Sequence, residues 1–62
     1  MIGKVFEISG CDGPFVIIGV SEDSIEYRTI SKSGRHYIMT PKRFESKEIF
    51  WYSKETHPEY YL

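Results

Sequence analysis

Sixty-two residues with a net charge of −1 allow one domain and exclude a second core. The one cysteine, Cys11, excludes an intramolecular disulfide, and Cys11, His36 and His57 lack the spacing of a zinc set, so no metal and no cofactor is expected. A chain this small buries only about 60% of its unfolded surface. Its stability must therefore come from packing, and an aromatic content of 16% supplies bulky side chains for that purpose.

Residues 4–8 read as a first strand, with Phe6 and Ile8 two apart on one face. Gly10, Asp12, Gly13 and Pro14 make residues 9–14 a loop. Residues 15–20 are apolar throughout, which predicts a strand buried on both faces. A polar turn over 21–24 leads to a third strand over 25–30, with Ile25, Tyr27 and Thr29 on one face. Residues 31–34 form a hairpin loop in which Gly34 supplies a positive φ. The return strand covers 35–40, so 15–40 is a meander with short connections.

Thr40 is suited to an N-cap and Pro41 to the first helical position. Residues 41–45 then make a single helical turn, with Phe44 as a plug for one end of the sheet. Residues 47–52 are the last strand, and no run has the length of a longer helix. Residues 1–52 thus form the folded body and 53–62 a polar tail with an aromatic end, Tyr60-Tyr61-Leu62. Pro58 and the neighbouring charges argue against a helix in the tail. The start of the chain carries no apolar leader, and the longest apolar run is too short to span a bilayer. An unpaired cysteine fits a reducing compartment, and the expectation is a complete cytoplasmic protein.

This order of elements, from residue 3 to residue 52, resembles SH3-like barrels of the KOW or Tudor shape. The resemblance implies an all-β, five-stranded, partly open barrel with one helical turn before its last strand. The stretch from Tyr27-Arg28 through Arg35-His36-Tyr37 to Thr40-Pro41-Lys42-Arg43-Phe44 also looks like small bacterial domains of unknown function. The single-unit size is similar to accessory proteins of phages and mobile elements. The acidic loop and tryptophan pair of polyproline-binding SH3 domains are absent, so no binding residues carry over.

Charge is segregated along the chain. Residues 1–27 sum to −4, residues 28–47 to +5 and residues 48–62 to −2. Tyr27, His36, Tyr37 and Phe44 are interleaved with the basic residues, a mixture that suits either an acidic protein or stacked, phosphate-bearing bases. A hairpin surface is ordinarily charged, and a pI near 6.1 runs against a dedicated nucleic-acid binder. Phe50-Trp51-Tyr52 must alternate faces, so at least one large ring is exposed or lies at a rim. Exposed aromatic area marks an interface, unless the tail folds back over Trp51.

No catalytic motif is present. Cys11 reads as a small loop residue and His57 as a solvated one. The chain is expected to be a non-catalytic protein-binding module, an adaptor or small inhibitor. The expected surface comprises Tyr27, Arg28, Arg35, Tyr37, Lys42 and Arg43, with Trp51 and the tail as a second candidate. The alternatives are RNA or DNA binding through the same residues, and a homodimer that hides its edge strands.

Overall fold

The computed structural model describes residues 2–11, 13–31 and 34–61. Asp12 of the first loop, Lys32 and Ser33 of the hairpin loop, and Leu62 of the aromatic tail end lie outside the described residues. Five strands form one antiparallel sheet: β1 (Val5–Ile8), β2 (Phe15–Val20), β3 (Ile25–Thr29), β4 (His36–Met39) and β5 (Ile49–Tyr52). Their order across the sheet is β4-β3-β2-β1-β5, and the sheet does not close. One helical turn, α1 (Pro41–Glu45), precedes the last strand as expected. β2 has the predicted bounds, and the other four strands are shorter by one or two residues than predicted, because flanking residues are used in turns and caps.

The turn chemistry follows the sequence. Thr40 has extended backbone, and its hydroxyl accepts a hydrogen bond from the Arg43 N–H, as an N-cap does. Gly34 closes the hairpin at φ +52, a conformation that L side chains rarely adopt. Its N–H donates to the Ser31 carbonyl.

The core lies on one face of the sheet. Phe6 is fully buried at its centre, with its ring 5.3–5.5 Å from the rings of Phe15, Tyr27, Phe44 and Trp51. Such tilted and edge-to-face pairs contribute about 0.5–1.5 kcal/mol each beyond their buried area. Ile8, Ile17 and Ile25 complete the cluster, with Met39 and Ile49 packed against it. Phe44 plugs the core from α1 as the sequence implies. A register shift between Ile17 and Gly19 pairs Val20 with Ile25, so Val20 joins the core side of the sheet.

Two expectations change. The strand covered on both faces is β1 and not β2. Val5 and Phe6 are consecutive and both fully buried, whereas Val16 and Ile18 of β2 are half-buried and Val20 is exposed. The cause is the tail, which turns back from β5 and reaches β1. Pro58–Tyr61 form a 3₁₀ turn despite the expected absence of helix. Pro58 opens that turn, where its missing N–H removes no bond. The Tyr61 hydroxyl then donates to the Tyr52 carbonyl and accepts from the Val5 N–H, bridging β5 and β1.

Candidate functional site

The hairpin and the first loop flank a groove at one end of the core face. It holds about 560 Å³, with Phe15, Tyr27, Tyr37, Arg35 and Cys11 among its walls. Strand alternation and the β3–β4 register explain the grouping. Tyr27 and Tyr37 are directly paired across the two strands, so both rings point to the core side. They stack at 5.4 Å with 19° between planes, and Phe15 meets each of them edge-on. Tyr27 is 4% exposed and Tyr37 40%, so the first is floor and the second is wall.

Arg35 enters the groove from the hairpin. Arg43 stands on α1, close enough to the Tyr27 phenol to act on its ionisation. Burial pushes the Tyr27 hydroxyl above its usual pKa, and Cys11 and Tyr37 add to this while Arg43 opposes it. The phenol therefore keeps its proton at neutral pH and acts as a donor. Neither Arg35 nor Arg43 is ion-paired among the described residues.

The other sequence candidates separate. Arg28 pairs with His36 and Val16, which places it on the opposite face, where its guanidinium donates to the Thr29 carbonyl. Lys42 is exposed on α1. Trp51 faces the core side at the far edge of the sheet, packed on Phe6 and Phe44, and is 41% exposed. It borders a second apolar hollow, with Val20, Ile25, Phe44 and Ile49. No aromatic ring of the described tail residues packs on Trp51. The tail covers Tyr52 on the other face, where His57 and Tyr60 pack against that ring at 4.3 and 5.3 Å. His57 is thus half-buried between two tyrosines and not solvated, and its Nδ1 pairs with the Thr56 hydroxyl.

Cys11 and Phe15 were not on the list of binding candidates, yet both line the groove. Cys11 is exposed at its lip, where a small loop hydrophobe was expected. The Gly-Pro loop that carries Cys11 was legible in sequence, but its position beside the hairpin depends on the β1–β2 and β2–β3 pairings. The opposite face has a larger hollow of about 890 Å³ under the tail, in which Lys4, Arg28 and Lys54 are offset by Glu55 and Glu59. No group of three His, Cys, Asp or Glu among the described residues is arranged to hold a metal ion. No helix is long and apolar enough to cross a membrane.

Fold and site together define a small all-β domain with an aromatic groove bordered by Arg35. Compared with known proteins, the chain matches no family model, no curated protein and no solved structure.

Proposed function

We propose that this chain is a non-catalytic protein-binding module and that the Tyr27–Tyr37 groove is its contact surface. The observation that carries the reading is the exposed Tyr37 ring stacked on Tyr27 beside Arg35, which has no ion pair among the described residues. Tyr and Arg are the side chains most enriched where binding energy concentrates, and a ring fixed in advance loses little entropy on contact. The sheet order, with a helical turn ahead of β5, resembles an SH3-like barrel, and barrels of that shape commonly present one open face to a ligand. β4 has one neighbour in the sheet, so an extended segment has a free edge to lie against.

RNA or DNA is the second reading, supported by the +5 charge of residues 28–47. The structure spreads that charge over both faces, and the other open rings, Phe50 and Trp51, lie on β5, away from the basic hairpin. The test is retention of a protein from a nuclease-treated lysate by the wild-type chain and by Tyr37→Ala. A protein held by the first and lost from the second, with the fold unchanged by circular dichroism, is the expected result. Equal retention by both, or loss of all bound material on nuclease treatment, overturns the reading. For nucleic acid, affinity would instead fall by orders of magnitude between low and moderate salt.

A further inference from the structure

We infer that two copies of this chain join through the free edge of β5. The two β5 strands run antiparallel about a twofold axis, with Trp51 opposite Trp51 of the second copy. This goes beyond the protein-binding reading and uses the other side of the sheet, since the Tyr27–Tyr37 groove lies by β3 and β4.

The edge has backbone groups to offer. β5 pairs with β1 alone. The Glu48 carbonyl accepts from the Ser9 N–H, and the Tyr52 carbonyl accepts from the Tyr61 hydroxyl that also bonds the Val5 N–H. Residues 48, 50 and 52 therefore turn their backbone groups to β1, and by alternation Ile49 and Trp51 turn theirs outward. The charges, prolines and bulges that ordinarily keep an edge from pairing are absent from Ile49–Tyr52. Phe50 and Trp51, on opposite faces, are instead 61% and 41% exposed.

The order of charges around β5 commits this edge to a second copy. Lys47 and Glu48 precede the strand, and Lys54 and Glu55 follow it. None of the four is ion-paired among the described residues. With Trp51 opposite itself, Phe50 faces Tyr52 of the second copy on one face while the two indoles meet on the other. The same register brings Lys47 to the end that carries Glu55, and Glu48 to the end that carries Lys54. Both matches are of opposite sign, and the twofold makes each of them twice. Any other register in which like faces meet separates both. The other free edge lacks this property. Arg35 precedes β4 and Lys42 and Arg43 follow it, so a twofold there would set cation against cation.

A four-residue edge is small beside the roughly 800 Å² per partner of a standard interface, so dissociation is expected in the micromolar range. Sedimentation equilibrium of the full chain from about 1 μM to 1 mM tests the inference, with Tm of every variant as the control for folding. A monomer–dimer equilibrium that stops at two copies is expected. Phe50→Lys, at an exposed site, should raise the dissociation constant by at least about tenfold. Lys54→Glu should raise it about fivefold, and adding Glu48→Lys to that variant should restore it, because each changed charge again meets its opposite. A monomer at every concentration, growth beyond two copies, or a dimer indifferent to Phe50→Lys overturns the inference. A double variant that stays as weak as Lys54→Glu also overturns it, since those charges are what assign β5 to a second copy.

Discussion

Two tyrosine hydroxyls divide this small sheet into a face that holds itself together and a face that is open. Tyr61, in the tail, spends both its donor and its acceptor on the backbone of Tyr52 and Val5. Tyr27, in the core, spends neither among the described residues, although it is the more deeply buried of the two. The tail face carries opposed charges and a satisfied hydroxyl, so its aromatic rings are there to cover β1 and β5. The groove face carries Arg35 without an ion pair, and a hydroxyl without a hydrogen bond, among the described residues. The same chemical group is thus bound by the backbone on one side and open to the groove on the other, and what differs is whether the backbone supplies a partner.

The largest expected effect comes from removing residues 53–62. This uncovers the fully buried Val5 and frees both backbone groups held by Tyr61, and should cost about 3 kcal/mol or more. For a domain of this size that is a large share of its stability, so denaturant titration should show a sharply lowered midpoint or an unfolded chain. A truncated chain as stable as the full one would make the tail an appendage and remove the structural half of the comparison.

Tyr61→Phe keeps the ring and removes only the bridge. It leaves the Val5 N–H and the Tyr52 carbonyl without that partner, at a cost of about 1–3 kcal/mol in the same titration. Thr40→Ala removes the cap bonded to the Arg43 N–H and should cost about 1 kcal/mol.

Alkaline pH probes both faces. Tyr27 is shifted upward by burial and then by Cys11 and Tyr37, and Tyr52 by burial and then by the Glu7 carboxylate. A phenol with a raised folded-state pKa leaves stability level below its unfolded pKa of about 10, and stability falls as pH climbs through the folded value. Thermal unfolding followed from pH 8 to 11 should be flat and then decline, and Tyr27→Phe should flatten part of the decline. The smallest effect is the most pointed: at pH 7, Tyr27→Phe should change stability by less than about 0.5 kcal/mol, because nothing among the described residues bonds to that hydroxyl. A large loss would give Tyr27 a structural role like that of Tyr61 and erase the distinction.

Local physics was written in the sequence. Apolar runs set β2 and β3, Gly34 set the hairpin, and Thr40-Pro41 set the turn that delivers Phe44 to the core. Strand alternation also put Trp51 on the opposite side from Phe50 and Tyr52, without saying which side was the core. Tertiary structure decided that, because only the pairing of Phe6 with Trp51 brings the indole onto the core ring. It also decided that Arg28 leaves the groove while Arg35 enters it, a distinction that charge counting along a chain does not contain. The fate of the tail was settled the same way. Pro58 discourages helix locally, but a hydroxyl that reaches two backbone groups 9 and 56 residues away depends on contacts no local rule encodes. Propensities act over a few neighbours, whereas the sites of cover and of recognition are set by which distant strands the sheet brings together.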